Sequence, residues 1–133
     1  MEQIEITKPQ VEIDQALKEL LQVQEDRVTI VHCRYYFSQP HHARIWPTTY
    51  LIEEDGSRRK LLHAFNISLA PNWTLYFLFD DYVRFTLVFE GLSKGCNEFS
   101  LQEAITEPGA FYSDILKRNN SDVYKAEVHC KPY

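Results

Sequence analysis

The chain has 133 residues, 44% of them hydrophobic and 25% charged, with a formal net charge of -5. That length fits one domain, able to bury roughly two-thirds of its unfolded surface. The acidic excess argues against nucleic-acid binding, whose affinity comes from a basic stripe that releases phosphate counterions, and no stretch approaches the ~20 apolar residues of a membrane helix.

Taken from the N-terminus, MEQIEITKPQVEIDQ lacks the basic and apolar regions of a signal peptide. A cytoplasmic location is expected, with an envelope location following only if a leader had been trimmed. Residues 1–16 read as a loosely ordered extension of a single domain spanning 1–133. Residues 14–23 carry two readings. Asp14 caps a short helix with Ala16, Leu17, Leu20 and Leu21 on one face, or Leu17 to Gln24 forms a first strand, which is the preferred reading.

From Val28 to Phe37 the odd positions Thr29, Val31, Cys33, Tyr35 and Phe37 form the more apolar face, against His32 and Arg34. Period two over such a run predicts a half-buried strand. His41-His42 follows Gln39-Pro40 and reads as a solvated loop tip. Tyr50 to Glu53 and Lys60 to Phe65 flank Asp55-Gly56, a hairpin signal because glycine tolerates positive φ. Glu53-Glu54-Asp55 then faces Arg58-Arg59-Lys60 across the turn. Further strands are predicted where Val83, Phe85, Leu87 and Phe89 alternate with Tyr82, Arg84, Thr86 and Val88, and where Tyr124, Ala126, Val128 and Cys130 alternate with Val123, Lys125, Glu127 and His129. Asn97 to Glu103 and Phe111 to Lys117 are two more, separated by Glu107-Pro108-Gly109. Seven or eight short strands with regular turn signals predict an all-β sandwich.

The three cysteines, Cys33, Cys96 and Cys130, form no C-x-x-C pair, so a reducing compartment is expected rather than a disulfide framework. His32-Cys33 and His129-Cys130 are metal-ligating types, but strand neighbours point to opposite faces, so each pair offers one ligand to a given side. No metal or other cofactor is expected. Cys33 and Cys130 fall on the inward phase. Cys96, after Gly95 and near Lys94, reads as the more exposed thiol. No G-x-S-x-G elbow or glycine-rich phosphate loop occurs. The carboxylate clusters Asp80-Asp81 and Glu53-Glu54-Asp55 lack calcium-loop spacing.

Trp46, Tyr50, Trp73, Tyr76, Phe77, Phe79 and Tyr82 crowd one part of the chain. The first explanation is core packing, with both tryptophans buried between sheets. The other is an exposed platform of rings for stacking on a ligand.

The segments Ile45-Trp46-Pro47-Thr48-Thr49-Tyr50-Leu51, Leu61-Leu62-His63-Ala64-Phe65-Asn66-Ile67-Ser68-Leu69-Ala70-Pro71 and Phe85-Thr86-Leu87-Val88-Phe89-Glu90-Gly91-Leu92, with Glu107-Pro108-Gly109-Ala110-Phe111 and Ile115, form a recognisable series. Over about residues 18 to 128 it resembles a group of small uncharacterised bacterial proteins. The resemblance implies an immunoglobulin-like antiparallel β-sandwich and brings no catalytic residues. Many of those relatives follow an export signal, which this sequence does not show.

The expected function is a non-catalytic interaction module that binds another protein, or a second copy of itself through an edge strand. No nucleic acid and no membrane insertion are expected. The alternative is a carbohydrate or small-ligand binding domain using Trp46, Tyr50, Trp73 and Tyr76. A third reading is a hydrolase or thiol enzyme built around Cys96 or a carboxylate pair.

Overall fold

The computed structural model describes residues 27–37, 41–76, 81–106 and 109–131. The two readings of residues 14–23 and the extension 1–16 lie outside them. Ten strands follow in order: β1 (Val28–Phe37), β2 (His41–Ala43), β3 (Thr49–Glu53), β4 (Arg58–Phe65), β5 (Thr74–Tyr76), β6 (Asp81–Glu90), β7 (Glu98–Glu103), β8 (Phe111–Ser113), β9 (Leu116–Lys117) and β10 (Val123–Cys130). The period-two segments and the Asp55-Gly56 hairpin are strands as expected, and Gly56 takes φ 89°. The expected strand from Phe111 to Lys117 breaks into β8 and β9. His41 and His42 lie in a short strand paired with β5, not at a loop tip.

The immunoglobulin-like sandwich is overturned. The main sheet runs β3-β4-β6-β1-β10-β8-β7, and β7 pairs back onto β3, so seven strands close into a barrel. The closing ladder sets Thr49 opposite Glu103, Leu51 opposite Leu101 and Glu53 opposite Phe99. All neighbours are antiparallel except β1 and β10, the first and last strands of the barrel, which run parallel. Period-two alternation looks the same in both architectures, because each has one buried and one outer face per strand. Pairing distinguishes them: here one continuous sheet runs from β3 to β7 and returns to β3.

A barrel this small is filled by its own side chains. Phe89, Phe99, Leu51, Leu87 and Leu101 are buried in its interior. Phe99 meets Tyr124 edge-on at 4.8 Å, and Tyr35 meets Phe111 edge-on at 5.1 Å, the arrangement that ring quadrupoles favour. Curvature is helped by a bulge in β4, where the register against β6 shifts between Leu61 and His63. The shift lets Leu61 and Ala64, an odd number of residues apart, both pack against the interior. Leu62 and Phe65 instead join Val28, Ile30, Val88 and Val123 in a second apolar cluster on the outer wall.

Each end of the interior holds a buried glutamate. Glu53 accepts hydrogen bonds from Ser93 N at 2.7 Å and Arg59 Nε at 3.2 Å, so its charge is paired. At the other end Glu103 accepts from Trp46 N and Phe111 N, each at 2.9 Å, and lies 3.0 Å from Thr49 Oγ1. Burial pushes the Glu103 carboxyl above the ordinary glutamate range, against the lowering effect of those two N–H donors. The single Thr49 hydroxyl proton can go to the Trp46 carbonyl, 2.7 Å away. The same hydroxyl is the donor to Glu103 Oε2, so its one proton is shared between the two acceptors.

Glu103→Ala strands two buried N–H groups and is expected to cost about 3 kcal/mol in urea unfolding. A carboxyl whose value is raised on folding contributes most below its unfolded value, and that contribution is lost as pH rises through the folded one. Against Glu103→Gln, which does not titrate, the wild type is therefore expected to lose relative stability as pH rises from the ordinary glutamate value upward. A flat difference across that window would show that Glu103 ionises normally.

Candidate functional site

The packed interior directs attention to the outer wall. On β6, β1 and β10 the outward residues fall into cross-strand rows. The first row is Val88, Ile30 and Val123, part of the outer apolar cluster. The second is Thr86, His32 and Lys125, and the third is Arg84, Arg34 and Glu127. Tyr82 and Tyr36 face each other beyond it, edge-on at 5.5 Å. The second and third rows, with Asn66 at the end of β4, line a groove of about 600 Å³. Cys33, Phe85 and Ala126 point inward beneath it, so their backbone forms its floor.

Arg34 and Arg84 stand directly opposite each other, a like-charge pair that destabilises a sheet. Tyr82 offsets part of this, with the Arg34 guanidinium 4.6 Å and that of Arg84 5.9 Å from its ring centroid. Glu127 bridges Arg34 at 3.0 Å across the other ladder. Among the described residues Arg84 and Lys125 have no carboxylate in salt-bridge range. His32 Nδ1 lies 2.8 Å from Thr86 Oγ1, which fixes the ring at the groove wall.

The expected ring platform divides. Trp46 and Trp73 come together around Arg44, whose guanidinium lies 4.7 Å from the Trp46 ring and 3.8 Å from the Trp73 ring. Arg44 Nη1 also donates to the Pro71 carbonyl at 3.1 Å. Trp73 is 55% exposed and meets His42 edge-on, whereas Trp46 is half-buried. Core burial thus fails for Trp73. Tyr50 stacks on Arg58 instead, and the Tyr76 hydroxyl donates to the Asn66 carbonyl at 2.9 Å.

The three thiols are all shifted away from the thiolate form. Cys96 is buried, and desolvation followed by the charges of Glu53 and Glu54 pushes its thiol up. Burial also raises Cys33 and Cys130. A thiolate nucleophile needs the reverse. His32 lies opposite Lys125, so His129 is four residues further along β10, roughly 13 Å away at strand spacing. Among the described residues no cluster of three or more His, Cys, Asp or Glu is placed to hold a metal ion, and no helix is long and apolar enough to cross a membrane.

The sequence alone places His32 and Arg34 on the outer phase of β1 and Arg84 on the opposite phase to the buried residues of β6, without joining them. The signal was the polar phase of each strand, but nothing in the sequence states which strands are neighbours. Comparison with protein-family models, with characterised proteins and with solved structures returns no match.

The exposure difference between the two tryptophans is expected to appear in fluorescence. Trp73→Phe should remove the red-shifted, acrylamide-quenched emission, and Trp46→Phe should leave it. Equal quenching of the two variants would contradict the clasp around Arg44.

Proposed function

We propose that this barrel is a non-catalytic interaction module that binds an acidic segment of another protein in the groove across β6, β1 and β10. The observation that carries the reading is the unbalanced charge there. In a chain with 14 basic and 19 acidic residues, three cations, Arg34, Arg84 and Lys125, share two adjacent rows with one carboxylate, Glu127. Folding gains nothing from opposing Arg34 to Arg84, and local conflicts of this kind are expected where a surface serves a partner. A guanidinium fork matches carboxylate geometry with paired hydrogen bonds, and an acidic partner removes the repulsion when it binds.

Closure of the barrel also moves the contact surface. With β3 paired to β7, the main sheet has no long free edge among the described residues, so strand addition gives way to side-chain recognition on the wall. A carbohydrate reading on Trp46, Tyr50, Trp73 and Tyr76 has less support, since Trp46 and Trp73 stack on Arg44, Tyr50 stacks on Arg58 and the Tyr76 hydroxyl is engaged by the Asn66 carbonyl.

The test is fluorescence anisotropy of a labelled Glu-rich heptapeptide with a central aspartate. Binding to the wild type is expected, weakening as salt rises. Arg84→Glu combined with Lys125→Glu should reduce the affinity by about tenfold or more without lowering the melting temperature, because both side chains are exposed. Binding that survives this double reversal would move the contact surface elsewhere.

A further inference from the structure

Resting on that reading of the groove, we infer that its specific ligand is a phosphorylated side chain within the acidic segment, and that Glu127 holds the anion's place on Arg34 until it arrives. The argument begins with what a carboxylate achieves in this position. Glu127 is already there, bridged to Arg34 at 3.0 Å, and it leaves Arg84 and Lys125 without a carboxylate partner among the described residues. One carboxylate therefore answers one of the three cations. A phosphate monoester carries about -1.5 to -2 charge at neutral pH and presents three acceptor oxygens, enough to meet two guanidinium forks and an ammonium together.

The geometry suits one such group. Arg34 and Arg84 are directly opposed, so their Cα atoms lie about 5 Å apart. Lys125 is one row away on the strand beyond Arg34, roughly 8 Å at strand spacing. Tyr82 holds the Arg34 guanidinium against its ring, which orders the fork before the ligand comes. Arg84 and Lys125 flank β1 on either side, their Cα atoms roughly 12 Å apart at strand spacing, a span that two long side chains can close on one anion. A nucleic-acid track commonly needs about 6–10 phosphate contacts in file, and the net charge of -5 opposes such a polymer.

Displacing Glu127 is easy. The Arg34 and Glu127 side chains are 51% and 42% exposed, and ion pairs so open to water are worth little. Glu127 lowers the repulsion in the empty groove and competes weakly with the ligand, so its removal should tighten binding. A residue that merely stabilised the barrel would not do that.

The experiment uses the full chain and the heptapeptide described above in three forms, with serine, aspartate or phosphoserine at its centre. The phosphoserine form is expected to bind about tenfold tighter than the aspartate form, with inorganic phosphate competing. Glu127→Gln is expected to tighten the phosphoserine peptide by about threefold, and Arg84→Gln to abolish its advantage over aspartate. Equal affinity for phosphoserine and aspartate would overturn this inference and leave the acidic-segment reading standing. Failure of all three peptides to bind would remove both. A Glu127→Gln variant with unchanged affinity would eliminate the place-holding role. Stronger competition by single-stranded DNA than by inorganic phosphate would replace the phosphorylated side chain with a nucleic acid.

Discussion

The pairing of β3 with β7 is the contact on which the rest of this structure depends. It turns an eight-stranded sheet with two edges into a closed wall with β9 appended, and it buries Leu51, Phe99 and Leu101 completely or nearly so. Closure gives the barrel strands an inner and an outer phase, since neighbouring side chains alternate across the wall except at the β4 bulge. Phenylalanine and tyrosine rings fill the inner phase. Any recognition surface on this wall must then be built from the outer one, on strands whose positions the interior has already set.

The buried glutamates show how the two ends of such a barrel are finished differently. Glu53 stays next to a cation, Arg59, and ties the β3–β4 hairpin to Ser93. Glu103 meets mainly backbone N–H groups and a hydroxyl, and these fasten Trp46, Thr49 and Phe111 to β7. Desolvation outweighs those hydrogen bonds in its titration. Both are polar groups placed where the inner phase runs out of barrel.

The aromatic residues have a shared use that their crowding in the chain conceals. Tyr82 holds Arg34, Tyr50 holds Arg58, and Trp46 and Trp73 hold Arg44. Arginine is suited to this because its flat, weakly hydrated head lies against a ring face while its N–H groups remain available at the edge. On the outer wall of β6 and β1 that arrangement keeps a repulsive pair of guanidinium groups in position over a groove.

Much of this was legible in the chain alone. The ten-residue alternations of β1 and β6, the eight-residue alternation of β10 and the Asp55-Gly56 turn are local properties, written in successive side chains and in one glycine's tolerance of positive φ. The inward phase of Cys33 and the outer phase of Arg34 follow from the same period. What the sequence did not contain was the choice of neighbours. Whether β3 ends a sheet or returns to β7, whether β10 lies beside β1, and whether Arg84 therefore faces Arg34 are matters of pairing between residues far apart in the chain. Alternation is identical for every partner a strand could take, so a sandwich and a barrel share one local pattern. The tertiary structure decided between them through the volume the interior side chains fill and the bulge in β4 that bends the wall around them.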